Sequence, residues 1–176
     1  FGVNNKKLSD KNGGNVLVIN GDRVYIPRNL LVYYYSINEY TANLDRELAK
    51  TILFLDGNKQ NTSASNLIHV DTYLLNNKFI EHPTIKGLYA NANGNVFSYH
   101  TCTELGSTNS YGYRVSKFKG KTYQTHRVVY ECVSGTIIPD DMTIHHIDAN
   151  KINNNYENLM VISRADNTIE SNIRNR

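Results

Sequence analysis

The stretch from Thr143 to Asn167, TIHHIDANKINNNYENLMVISRADN, divides by its apolar and polar positions into four pieces. The opening piece reads as extended and holds the chain's adjacent histidines, His145 and His146. Neighbouring side chains of an extended segment point to opposite faces, so the two imidazoles meet different surroundings. Asp148 to Tyr156 is turn-forming composition with almost no apolar residue and reads as a loop. Leu159 to Ile162 is a short β-prone apolar run. Ser163 then occupies an N-cap position, and Asp166 three residues on completes the Ser-x-x-Asp signature of a helix start. The predicted order is strand, loop, strand, helix, with Asn167 in the first helical turn.

These residues resemble the motif of the HNH nucleases with the ββα-metal fold. The likeness is strongest to the homing-endonuclease-like members, whose pattern is roughly (D/H)-H-x-D-G-N-x-x-N-N…N-L…N. The resemblance implies a divalent metal, Mg²⁺ or Mn²⁺ in use, held by His145 and Asn167, with His146 as general base. It implies that Asn158 fixes the loop and so holds His146 in its working orientation. Two protein ligands leave room for phosphate oxygens and water, and a neutral imidazole suits proton abstraction near neutral pH. This chain departs from the pattern at Ala149, where the family commonly has Gly, and carries Asn at 167 where many members have His.

The same loop pattern occurs earlier. Residues Leu55 to Val70 lie over Ile147 to Ile162 without a gap, matching Asp56, Asn58, Lys59, Asn61, Asn66 and Leu67 to Asp148, Asn150, Lys151, Asn153, Asn158 and Leu159. Upstream, INGDRVYIPR ending at Arg28 has the form of FKGKTYQTHR ending at Arg127. The chain therefore reads as a tandem duplication. In the first copy Leu53, Phe54 and Leu75 occupy the places of His145, His146 and Asn167, and such side chains hold no metal. The expected fold is α+β, two tandem ββα-type repeats with β-hairpins. Residues 1–76 form a degenerate repeat with a structural or DNA-binding role, and residues 77–176 the nuclease domain.

Leu74 to Pro83 reads as a connector, and IKGLYANANGNVFSYH as strand, turn and strand around Asn93-Gly94. The latter loosely resembles a short module that often precedes the motif in homing-type members. Tyr111 to Arg127, YGYRVSKFKGKTYQTHR, carries Arg114, Lys117, Lys119, Lys121 and Arg127 among aromatic residues and no acid. With a turn at Gly120 it predicts a basic two-stranded ribbon of the kind that enters a groove or tracks phosphates. His126 and Lys151 complete the set of candidate DNA contacts. After His126-Arg127, VVYECV favours a strand by propensity. The resemblance implies a helix there instead, and LLVYYY after Arg28 poses the same choice.

Composition narrows the setting. The chain has 176 residues and a formal charge of +3, mildly basic and compatible with a nucleic-acid partner. No apolar run approaches the roughly 18 residues a membrane span requires, and FGVNNKKLSDKNGG lacks the apolar core of a signal peptide, so a cytoplasmic location is expected. Cys102 and Cys132 form no Cys-x-x-Cys pair, which argues against a four-ligand zinc site. The expected function is hydrolysis of phosphodiester bonds in double-stranded DNA, site-specific and metal-dependent, by a monomer or homodimer. The alternative is a sequence-specific DNA-binding module without useful cleavage.

Overall fold

The computed structural model describes residues 15–19, 22–26 and 51–174, and the chain divides into two compact units, Phe1–Tyr73 and Leu74–Arg176. In the first, β1 (Asn15–Ile19) and β2 (Asp22–Ile26) form an antiparallel hairpin, with Ile19 opposite Asp22. A second antiparallel pair joins β3 (Ile52–Phe54) to β4 (Leu67–His69), and α1 (Val70–Asn76) follows directly across the boundary between the units. The LLVYYY segment lies outside the described residues.

The second unit is built around one helix. Its strands β5 (Ile80–Glu81), β6 (Leu88–Ala90), β7 (Val96–Ser98) and β8 (Thr103–Leu105) make an antiparallel sheet in chain order. A second sheet joins β9 (Ser107–Thr108), β10 (Arg114–Phe118) and β11 (Lys121–Gln124). VVYECV is helical, inside α2 (Thr125–Ser134), which ends at Gly135 in the left-handed region. Its β-prone valines obey a helical spacing, because buried Thr125, Val128, Val129 and Cys132 fall on one stripe. That stripe packs into a core with Leu88, Ala90, Val96, Phe118, Ile138, Ile144 and Leu159. Burying such a continuous apolar face outweighs the small intrinsic preference of Val for sheet. Among the described residues no helix is long and apolar enough to cross a membrane.

One charged network is enclosed with the core. Glu131, nearly buried, accepts from His82 Nε2 at 2.9 Å, from Arg127 Nε at 3.1 Å and from the Ile138 backbone N–H at 3.0 Å. Arg127 also donates to the Ile138 carbonyl. The carboxylate thus fastens β5, α2 and the chain after α2. Its partners compensate its burial, so the charge is tolerated.

The motif itself is β12 (Met142–His146) paired antiparallel with β13 (Leu159–Ser163), followed by α3 (Arg164–Arg174). The helix begins as expected: the Asp166 N–H donates to Ser163 Oγ at 3.1 Å, and Ser163 Oγ–H donates to Asp166 Oδ2 at 2.7 Å. Between the strands the loop closes on Asp148, whose carboxylate accepts from the Asn150 N–H at 2.8 Å, Asn153 Nδ2 at 2.7 Å and Asn158 Nδ2 at 2.9 Å. Within the first unit Asp56 accepts from the Asn58 N–H at 2.8 Å, Asn61 Nδ2 at 2.7 Å and Asn66 Nδ2 at 2.9 Å. Asn158 Oδ1 accepts from the Asp148 N–H at 3.0 Å, and Asn66 Oδ1 from the Asp56 N–H at 2.9 Å.

The two loops differ at one strained position. Both turn through the left-handed region, at Gly57 with φ 71° and at Ala149 with φ 63°. Alanine there costs about 1 kcal/mol relative to glycine, because its Cβ crowds the backbone. Ala149→Gly should therefore stabilise the second unit by about 1 kcal/mol, raising its Tm by roughly 4 °C. Thermal unfolding followed by circular dichroism checks this; an unchanged or lower Tm means the turn is not strained.

Candidate active site

The β12–β13 pairing sends the histidines to opposite faces. His145 lies across from exposed Met160, while His146 lies across from buried Leu159 and is itself only 6% exposed. α3 then brings Asn167 back over the strand, placing its Oδ1 3.3 Å from His145 Nδ1. Both histidines and Asn167 border one cavity of about 610 Å³, with Tyr113, Gln124, His126 and Lys151 also on its wall. The strand pair sets the histidines apart, and the helix start brings the third residue to one of them.

The amide that touches His146 belongs to Asn154, a residue sequence reasoning passes over. Asn154 is 3% exposed, and its Oδ1 lies 3.3 Å from His146 Nε2. Its Nδ2 donates to the Ile152 carbonyl at 3.2 Å, which fixes the amide orientation and turns the acceptor oxygen to the imidazole. His146 Nε2 must then carry the proton, leaving the lone pair on Nδ1. Burial pushes the His146 pKa below its usual 6.5, partly opposed by the Asn154 hydrogen bond. The ring is thus neutral at physiological pH, as a proton acceptor needs to be.

Asn158 acts within the loop. Its side chain is spent on Asp148 and on the Asn153 carbonyl, the latter at 2.9 Å, so it shapes the loop and meets no histidine directly. No sequence signal separates Asn154 from its neighbours in the run Asn153-Asn154-Asn155. Only the fold tells which amide turns inward.

Two aromatic neighbours complete the wall. The His126 ring stands edge-on to His146, with centroids 5.1 Å apart and planes at 89°, and Tyr113 lies 5.6 Å from His126 and 6.0 Å from His146. The sequence suggests a DNA-facing surface for His126, and the structure sets it in this wall, its Nδ1 buried without a hydrogen-bond partner. Lys151 Nζ caps Tyr113 at 4.7 Å from the ring centre and donates to the Tyr111 carbonyl at 3.2 Å, so its charge sits at the cavity rim.

The other expected cations scatter. Lys119 and Gly120 both have positive φ, 46° and 77°, the two-residue turn that closes a tight hairpin. Phe118 pairs with Lys121, and Lys117 with Thr122, so the pleat directs Lys117 and Lys121 to opposite faces. Lys119 Nζ folds over the Phe118 ring at 5.1 Å and donates to the Lys86 carbonyl at 3.4 Å. Arg114 packs its guanidinium over Gly106, and Arg127 is committed to Glu131 and Ile138. Lys117, Lys119, Lys121 and Lys151 are all exposed, while Arg127 bonds to Glu131 and Ile138 and does not line the cavity.

The donor set offers a cation two ligands. Among the described residues no three His, Cys, Asp or Glu side chains cluster as a cation site. His145 and Asn167 nonetheless place an imidazole nitrogen and an amide oxygen side by side at the cavity, a pair that fits an open site completed by oxygens of substrate and solvent.

The largely enclosed His126 ring makes stability depend on pH. Burial, His146 and Arg127 push its pKa from 6.5 down to about 4. Protonation therefore favours the unfolded chain between those values: stability is flat above about pH 6.5 and falls as pH drops toward 4. The loss amounts to at most about 3 kcal/mol. Denaturant unfolding of wild type and His126→Gln at pH 7.5 and 4.5 should show a smaller acid loss in the variant; equal losses discard the argument.

Comparison with known proteins adds independent findings. Residues 123–169 match the model of the HNH endonuclease family. No curated protein matches the chain. A solved structure of DNA binding and cleavage by the HNH homing endonuclease I-HmuI is similar over 51% of this chain and 54% of that one, at 26% identity and a TM-score of 0.44. The chain thus spans about half the length of that structure. The matched segment runs from Tyr123 through α2, the histidine pair and the Asp148 loop into the first turns of α3, so the likeness to the HNH endonucleases falls on the part of the chain that carries the cavity.

Proposed function

We propose that this protein is a metal-dependent, site-specific endonuclease of the homing-endonuclease-like branch, hydrolysing phosphodiester bonds in duplex DNA. The observation that carries this reading is the meeting of His145, Asn167 and a neutral, oriented His146 on the wall of one cavity. His145 and Asn167 would hold the divalent cation, Mg²⁺ or Mn²⁺, whose chemistry there is to neutralise charge on the scissile phosphate and stabilise the departing 3′ oxygen. His146 takes the proton of the attacking water at Nδ1, with Nε2–H held by Asn154. Asn158 supports both by closing the loop on Asp148. Lys117, Lys121 and Lys151 supply exposed positive charge on the unit that carries the cavity.

The first unit is, in this reading, a degenerate repeat that extends the DNA-binding surface. Support comes from its Asp56 loop, bonded as the Asp148 loop is, while Leu53 and Phe54 stand in the histidine places. One site per chain makes a monomer a nicking enzyme; a two-fold dimer would cut both strands.

Supercoiled plasmid incubated with the protein and Mg²⁺ should become open circles before any linear form appears, and a chelator should stop it. Linear product arising in one step from a species of twice the chain mass would overturn the monomer model. Binding with no cleavage under any divalent metal would leave only a DNA-binding module. His146→Ala should slow cleavage by ~10² to 10⁴ with DNA affinity nearly intact. His145→Ala and Asn167→Ala should each raise the metal concentration needed for residual activity.

Replacing Lys117, Lys119 and Lys121 by Ala should weaken DNA binding and flatten its salt dependence by roughly one unit of log-log slope for each phosphate left without its lysine. The hydrogen bond of Lys119 to Lys86 makes its share the smallest of the three. A slope identical to wild type would mean that the ribbon does not touch DNA.

A further inference from the structure

Outside the segment that matches the family lies a turn that touches the catalytic loop. Between β6 and β7 the chain turns through Asn91 to Asn95: the Asn91 N–H donates to the Asn95 carbonyl at 3.1 Å, and the Gly94 N–H to the Asn91 carbonyl at 3.1 Å. Asn91, 2% exposed, accepts the Asn95 N–H on its Oδ1 at 3.2 Å and donates from Nδ2 to the Asn77 carbonyl at 3.0 Å. The turn is therefore fixed from within and from β5's side of the sheet.

Its tip presses on the backbone of Asn154. A Cβ added to Gly94 would lie 2.8 Å from the Asn154 carbonyl carbon and oxygen and 3.1 Å from Asn155 N, and Gly94 has φ 84°. Those are main-chain atoms, so no flexible side chain can give way. Two residues beyond Asn154, the Tyr156 N–H donates to the Ala92 carbonyl at 2.9 Å. The Tyr156 ring packs on Tyr130 of α2, with centroids 5.3 Å apart. The segment from Asn154 to Tyr156 is thus held by the hairpin tip at Asn154 and by the helix at Tyr156, and the Asn154 side chain is the one that reaches His146 Nε2.

The loop does not need that amide for its own shape. Within the first unit the Asp56 loop makes the corresponding hydrogen bonds, yet Thr62 stands where the second loop has Asn154, and Phe54 where it has His146. The residues that close the loop are alike in both units. The amide is present only beside the histidine.

We propose that the Asn91–Asn95 turn and Asn154 form a positioning device for His146: Gly94 and Ala92 hold the backbone around Asn154, and the Asn154 side-chain oxygen fixes the ring in its Nε2–H form. Asn154 is a positioning residue that acts through His146. The inference rests on His146 being the general base only in its kinetic part. The ring-orientation part stands on geometry alone and concerns residues both inside and outside the matched segment.

The experiment uses the full chain labelled with ¹⁵N-histidine at pH 7.5 without metal. Long-range ¹H–¹⁵N correlation spectra should show His146 as the Nε2–H tautomer in wild type and as a tautomer mixture in Asn154→Ala and in Gly94→Ala. An unchanged tautomer in folded Asn154→Ala overturns the proposal whether or not the protein cuts DNA. Asn91→Ala, which loosens the turn without crowding it, replaces Gly94→Ala if that variant does not fold. In plasmid cleavage, each variant should lower kcat about ten- to a hundred-fold while KM stays within about two-fold. Added to His146→Ala, neither should lower kcat further, as expected for residues that act through one another. A further drop in that background means the turn is merely structural and overturns the proposal. Loss of cleavage from the wild type itself refutes the endonuclease reading and leaves the spectra to decide this one.

Discussion

The Asp148 carboxylate gathers the Asn150 N–H and the Asn153 and Asn158 amides, and the loop it closes joins the strand that carries the histidines to the strand that leads into the helix of Asn167. It stays ionised because its donors point at it: the Asn153 side chain and the Asn150 backbone hold its pKa below the usual carboxylate value although it is exposed. An apolar core could not set such a loop, since a run from Asp148 to Asn153 offers it too few apolar side chains to bury. Polar closure substitutes for burial, and its directional bonds specify geometry more narrowly than packing would.

The strand pair, capping box and first helical turn were legible because each has a local cause: alternation, a hydroxyl three residues before a carboxylate, and the spacing between them. The helix through VVYECV was expected from the family resemblance and not from its residue types. Thr125, Val128, Val129 and Cys132 mark one face, while valine and tyrosine by themselves point to sheet. Asn154 was not legible. Three successive asparagines carry the same chemistry in sequence, and only the loop's curvature sends the middle one to His146. For Arg127 the sequence shows the charge but not that Glu131, four residues on, is turned inward to pair with it. Long side chains near a functional motif are read as surface by default, and a buried carboxylate on the same helix defeats that default.

Placement of charge follows a consistent division. Arg127, His82 and Glu131 spend their charges on one another inside the unit, and the cavity wall is made of rings and amides. Burial holds the pKa of both His126 and His146 below the usual histidine value as they stand edge to face, and Lys151 brings positive charge to the rim. A polyanion would then be drawn to the rim while the wall stays a neutral proton acceptor.

The Asp56 loop keeps its hydrogen bonds with leucine and phenylalanine beside it, so scaffold and chemistry are separable in this architecture. Leu53, Phe54, Thr62 and Leu75 stand in register with His145, His146, Asn154 and Asn167. The shape of such a loop is set by its own carboxylate and amides, so the side chains on the strands beside it are free to differ without reopening it.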